Sequence, residues 1–433
     1  MLPQAERIMM HRFYKNEFFN FETIRILGTT RYGGAEVGEV LEAVGETKEN
    51  DPESWYRAWS KKSTMVEAIA EEAQHHGHRD AARMAFLRAS NYTRASAYMM
   101  IGDKPLTSDA RVVPILKNSV QLFQRALNLT NAVVHQLQIP WDESLKLPAY
   151  LYLPPSSCRV PGKIPLVINF IGADSIQEEI FYMFPAAGPD LGYAVLTLEG
   201  PGQGLTLHEH NVPFRADWET ILQKTLEHLS HWIEESPALD LDLDRIAVAG
   251  ASLGGLFALR SAAEPRVRAC IAIDPLYDLW DFATMHVSPT FLGLWGRGWI
   301  PDCAVDAAIS LATWFSFQMK WEIATSSRFL GTSSPSETLR AMKRFTLREK
   351  DGTSYLTRVK CPVFVTGAGN SLYLDLSRHT GIVAKNLSES QRTVWISTTP
   401  GDGSLQAKMG ALGLCNQRAF MFLDKAFGID RRD

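Results

Sequence analysis

Apolar residues recur along this chain in two distinct textures, and the change between them divides it. From Leu41 to Val44, and then through Trp55, Trp59, Met65, Ile69 and Ala70, they return at helical spacing. Asp51-Pro52-Glu53-Ser54 reads as a helix start. Ala81–Met100 and Val113–Val134 continue the helical pattern, so residues 1–135 are expected to form an N-terminal helical domain. Short apolar runs then follow. Val134–Ile139 and Leu147–Leu153 flank a turn at Asp142-Glu143-Ser144. Pro165–Ile171, Tyr193–Leu198, Arg245–Ala249, Cys270–Ile273, Val363–Thr366 and Thr393–Ile396 come after them. These runs alternate with helix-length segments such as Trp218–Ile233 and Leu253–Ala263, which predicts a doubly wound, mostly parallel α/β sheet buried on both faces over 136–433.

One interval, about 275–349, breaks the rhythm. It is dense in aromatic residues, among them Trp280, Trp295, Trp299, Trp314, Phe315 and Trp321. It reads as an inserted helical subdomain, either packing its own core or forming a lid over an apolar ligand at the carboxyl ends of the strands.

Composition narrows the function classes. A formal net charge of −4 without a long basic run argues against a nucleic-acid surface. Five cysteines, without Cys-x-x-Cys or Cys/His spacing, argue against a disulfide framework and a zinc site. No stretch approaches the roughly 20 apolar residues of a membrane span, and the charged N-terminus lacks a signal-peptide core. A cytoplasmic location is expected, with no cofactor, no metal, no nucleic-acid partner and no membrane partner; a homodimer stays open.

The chemistry is carried by Gly250-Ala251-Ser252-Leu253-Gly254-Gly255, which follows one predicted strand directly and opens an apolar helix. That strand–turn–helix context makes it a nucleophile elbow and the fold an α/β-hydrolase fold. The oxyanion hole of this fold uses the N–H after the serine, here Leu253, and one from the loop after an earlier strand, here Ala173. Glu199-Gly200-Pro201-Gly202-Gln203-Gly204 reads first as a tight turn, from which Glu199 could still reach the site.

These motifs, together with Gly172-Ala173-Asp174-Ser175-Ile176-Gln177-Glu178-Glu179 and Gly401-Asp402-Gly403-Ser404-Leu405-Gln406-Ala407-Lys408, resemble the fusarin-type hydrolases of fungal polyketide–peptide clusters, cytochalasan-pathway members included. Yellowish-green pigment heptaketide hydrolases and the bacterial dihydropseudooxynicotine hydrolase are similar at greater distance. The resemblance spans nearly the whole chain and implies secondary metabolism and a polyketide-derived substrate.

The chain departs from a working triad. The acid slot after Val363–Thr366 holds Asn370, and the loop after Thr393–Ile396, Ser397 to Gln406, contains no histidine. The last histidine, His379, precedes that strand and reads as a solvated or packing residue rather than the base. Asp402 is the carboxylate in the histidine's loop and so the first candidate base; Asp174, Glu178, Glu199, His208 and His210 follow, with Gln406 as a pocket residue. Without imidazole, an acyl-enzyme mechanism has no evident base. The resemblance implies instead a condensation that closes a pyrrolidone or pyrrolinone ring on a linear polyketide–amino acid aldehyde, of Knoevenagel type. A serine hydrolase cleaving an ester or carbon–carbon bond, with a recruited histidine, and a non-catalytic binding protein are the alternatives.

Overall fold

The computed structural model describes residues 10–103 and 106–431. The first nine residues, part of the stretch read above as lacking a signal-peptide core, lie outside them. Five helices come first: α1 (Glu17–Leu27), α2 (Val37–Glu46), α3 (Pro52–His75), α4 (Arg79–Ala97) and α5 (Val112–Leu127). α3 begins at the expected start, where Asp51 caps it by accepting the N–H groups of Glu53 and Ser54 at 3.1 and 3.0 Å. The helix expected to run to Val134 stops at Leu127, because Val133 already pairs in a strand.

The strands are β1 (Val133–Pro140), β2 (Lys146–Leu153), β3 (Ile164–Phe170), β4 (Ala194–Leu198), β5 (Leu241–Ala251), β6 (Val267–Ile273), β7 (Val363–Ala368) and β8 (Arg392–Ser397). They form one sheet in the order β1-β2-β4-β3-β5-β6-β7-β8. β1 with β2 and β2 with β4 are antiparallel; every pairing from β4 to β8 is parallel. This is the doubly wound α/β-hydrolase sheet. Between the strands lie α6 (Gln177–Ile180), α7 (Gly204–His210), α8 (Glu219–Glu235) and α9 (Leu253–Ser261). The insertion carries α10 (Trp280–His286), α11 (Pro289–Gly296), α12 (Asp302–Thr313), α13 (Phe317–Leu330) and α14 (Pro335–Met342). Then come α15 (Thr380–Asn386) and α16 (Leu412–Phe427).

Strand periodicity sends alternate residues to two cores. Leu166, Ile168, Ile246 and Val248 face α8, α9 and the insertion. Val167, Ala247, Ala249 and Ile271 face α16 and the N-terminal helices. The N-terminal helices therefore do not build a core of their own; Phe18, Trp55, Trp59 and Tyr92 belong to the same cluster as that sheet face. The aromatic residues of the insertion divide. Trp295 and Phe329 are buried, whereas Trp299, Trp314 and Phe315 are 74%, 86% and 85% exposed and pack neither a core nor a pocket roof over Ser252.

Candidate active site

β5 ends in the elbow. Ser252 holds φ 56° and ψ −119°, a left-handed-side conformation that L-residues adopt only under constraint. The constraint is visible on both sides: the Ser252 N–H donates to Ile273 O at 2.9 Å, and the Leu276 N–H to Ser252 O at 3.2 Å. Close backbone approach explains the glycines. A Cβ on Gly250 would lie 2.2 Å from Gly254 O, and one on Gly254 2.7 Å from Phe170 O. The latter contact also shows how tightly the end of β3 meets the start of α9. The Ala173 and Leu253 N–H groups, one from each side of that junction, donate to no other described residue, and both residues line the cavity in front of Ser252. They are free to hold an oxyanion.

The cavity encloses about 1050 Å³, its mouth included. Phe21 and Arg25 come from α1, Phe282 from α10 and Trp321, Glu322 and Phe329 from α13, so the N-terminal helices and the insertion both wall it. Trp321 joins the two: its indole N–H donates to Tyr98 O at 2.7 Å and its ring lies 4.9 Å from that of Tyr98.

No described histidine lines this cavity, and the Ser252 hydroxyl hydrogen-bonds to no described residue. His379 is buried at the start of α15, where its Nδ1 accepts the Tyr277 N–H at 3.2 Å; burial lowers its pKa to about 4. Asn370, in the acid's slot, ties two loops together through Ser404 Oγ at 2.9 Å and Thr398 O at 3.3 Å.

Asp402 requires a correction. It was expected to point at Ser252, but it does not line the cavity. Its carboxylate turns back on its own loop and accepts the Thr399 N–H at 2.9 Å, closing a capping box with Thr399. Glu199 is likewise outside the cavity. It is buried beneath α7, accepting the Leu205 N–H at 2.9 Å, where a Cβ on Gly204 would fall 1.9 Å from Glu199 Oε1. Burial and the neighbouring Glu178 push its carboxyl up to about 8. Glu178 is also buried outside the cavity, bound to Tyr150 Oη at 3.0 Å.

Asp174 and Gln406 do reach the cavity. Gln406 is held by Asp274 O at 3.1 Å and Ser371 Oγ at 2.7 Å. Asp174 keeps 32% of its side chain exposed, while Arg25 Nη1 donates to it at 2.8 Å and Tyr98 Oη also bonds it. Burial raises the Asp174 carboxyl, but Arg25 and Tyr98 outweigh that and hold it below the ordinary aspartate range. Arg25 meanwhile forks onto Glu179 at 2.6 and 2.7 Å. Glu22, at 3.3 Å from Arg25, is pushed up to about 8 by burial, with the nearby acids adding to it, and stays protonated at neutral pH.

A second ion pair stands behind the elbow. Lys408 Nζ lies 2.7 Å from Asp274 Oδ1, with both side chains almost fully buried, and donates to Gly367 O at 3.1 Å. It fastens the loop that carries a histidine in a working triad to the end of β6. Arg25, Tyr98 and the Asp274–Lys408 pair were missed in the sequence. The only local sign for Arg25 was an arginine three residues after Glu22 on the same helix.

Comparison with known proteins agrees with this fold. Residues 43–286 match the family described as esterase FrsA-like. A hydrolase of Pyricularia oryzae named ORFZ is 51% identical over 98% of this chain and 99% of its own. A hydrolyase of Aspergillus clavatus named ccsE is 51% identical over 98% of this chain and 100% of its own. The crystal structure of 2,6-dihydroxy-pseudo-oxynicotine hydrolase shares the fold, with a TM-score of 0.66 at 21% identity over 92% of this chain and 95% of that one. With more than half its length matched by the family and two fungal hydrolases aligned end to end, the chain belongs to the FrsA-like esterase family of α/β-hydrolase-fold enzymes.

Proposed function

We propose that this enzyme acts in fungal secondary metabolism, in the fusarin-type, cytochalasan-associated branch, and closes a ring by Knoevenagel-type condensation of a linear polyketide–amino acid aldehyde. One observation carries the reading: Ser252 stands on an intact elbow with no described histidine in reach, while an ionised carboxylate, Asp174, faces the same cavity. Acyl-enzyme turnover needs a base for the serine and later for water. Condensation needs a base for a carbon acid, donors for an enolate oxygen and a cavity that sheds water.

In this mechanism Asp174 takes a proton from the methylene between two carbonyls. The electron pair moves onto oxygen, held by the Ala173 and Leu253 N–H groups and the Ser252 hydroxyl. The nucleophilic carbon then attacks the aldehyde carbon, forming the C–C bond. The resulting alkoxide takes up a proton, a second methylene proton leaves, and hydroxide departs with a proton as water, leaving a C=C bond. Asp174 is a weak base because Arg25 stabilises its charge; the acidity of a doubly activated methylene and the oxyanion donors compensate.

Family membership favours a second reading, hydrolysis of an ester or C–C bond at Ser252. Mass spectrometry of products separates the two. A linear precursor bearing an aldehyde and a dicarbonyl should yield a product lighter by one water, and Ser252→Ala should slow that step. Rapid turnover of simple esters with a fluorophosphonate adduct on Ser252 would overturn the condensation reading.

A further inference from the structure

A second hollow of about 790 Å³ backs onto the Ser252 cavity. Ala173, Asp174, Ser175, Trp321, Thr325 and Phe329 line both. Its walls are largely apolar, but its polar groups are unusual in sign. Arg328 donates only to neutral acceptors: Leu106 O at 2.8 Å, Ser108 Oγ at 3.3 Å and Leu207 O at 3.3 Å. Half-buried, it has no carboxylate partner among the described residues, and burial alone lowers its pKa. His208, beside it, adds no compensating charge. Its Nδ1 shares a hydrogen with Ser108 Oγ at 2.8 Å, and burial together with Arg328 holds its pKa near 4.

Arg94 also lines this hollow, but it is 4% exposed and its charge is already matched by Glu179 at 3.1 Å, which leaves Arg328 as the cation open to a ligand. Asp174, the one carboxylate among the described residues of the walls, is already committed to Arg25 and Tyr98. Arg328 is half-buried, so water meets part of its charge, but its hydrogen bonds go to neutral acceptors and no described carboxylate on the walls pairs with it.

We propose that this hollow is a carboxylate subsite, which receives the acidic end of an apolar ligand whose other end lies at Ser252. The planar guanidinium of Arg328 matches two carboxylate oxygens. The inference rests on the reading of the Ser252 cavity as the reacting end, yet binding tests it without turnover, whereas product mass tests the reaction.

The probes are decanoate and its neutral isostere decanamide, titrated by calorimetry into the full-length wild-type protein and into Arg328→Gln. Wild type should prefer decanoate by about tenfold, the scale of a charge-assisted hydrogen bond. Arg328→Gln should erase that preference while leaving decanamide affinity unchanged, and Arg328→Lys should keep part of it. If the glutamine variant fails to fold, the wild-type ratio and the lysine variant decide. Equal affinities in wild type, or a preference that survives Arg328→Gln, would overturn the subsite whichever reaction occurs next door.

Discussion

Two buried cation–carboxylate pairs flank Ser252, and they differ in one respect that separates structure from chemistry. Asp274–Lys408 is sealed: its side chains are 2% and 0% exposed, and it bolts the last catalytic-position loop to β6. Asp174–Arg25 is open on one side, with nearly a third of the Asp174 side chain facing the cavity. A sealed pair can only hold geometry. An open one holds geometry and also presents a charged oxygen to a ligand. The serine thus keeps its elbow, and the carboxylate that reaches its cavity comes from the junction of β3 with the N-terminal helix α1, not from the loop after β8.

The largest effect should come from breaking the sealed pair. Lys408→Met leaves Asp274 buried and unpaired, and urea denaturation should show a loss of about 3–5 kcal/mol. The double variant Lys408→Met/Asp274→Asn should recover much of it. A single variant as stable as wild type would remove the structural half of the comparison. The open pair is tested next. Asp174→Asn should lower ring-forming turnover about 10²–10⁴-fold with little change in stability, measured as product formed per minute beside a melting curve. Unchanged turnover would deny Asp174 the role of base.

A third buried pair, the two acids Glu178 and Glu199, lies as deep but has no cation among the described residues, and sharpens the comparison through pH. Burial pushes Glu178 up to about 7 and Glu199 to about 8, from ordinary values near 4.5. The folded state therefore keeps protons that the unfolded chain releases, so this contribution is fully present below about pH 4.5 and is lost as pH rises to about 8. Glu199→Gln should flatten that decline and recover on the order of 2 kcal/mol at pH 8, read from unfolding midpoints across the range. The smallest effect belongs to Asp402→Asn. It should cost about 1 kcal/mol or less as a weakened cap and leave turnover alone; a large loss of turnover with the fold intact would return the base to the loop after β8.

The eight strands and the elbow were legible because each depends on local pattern: apolar runs of strand length, and small residues at Gly250 and Gly254 where backbones touch. The missing histidine was legible for the same reason, as an absence from one short loop. Asp402 misled because position in a loop says nothing of direction. Its side chain found two N–H groups three and four residues back, and that local bond outcompeted the cavity.

Sequence alone determined the fold class, the serine and the lack of a triad base, since these follow from contiguous residues and their spacing. Tertiary structure alone decided which of the candidate carboxylates reaches the cavity. Asp174 and Arg25 are 149 residues apart in the chain, and Lys408 and Asp274 are far apart as well. Such partners are brought together by the packing of α1 against the carboxyl end of β3 and of the last loop against β6. Neither contact leaves a periodic trace, because the pairing energy comes from burial and charge that exist only once the sheet and its two layers have closed.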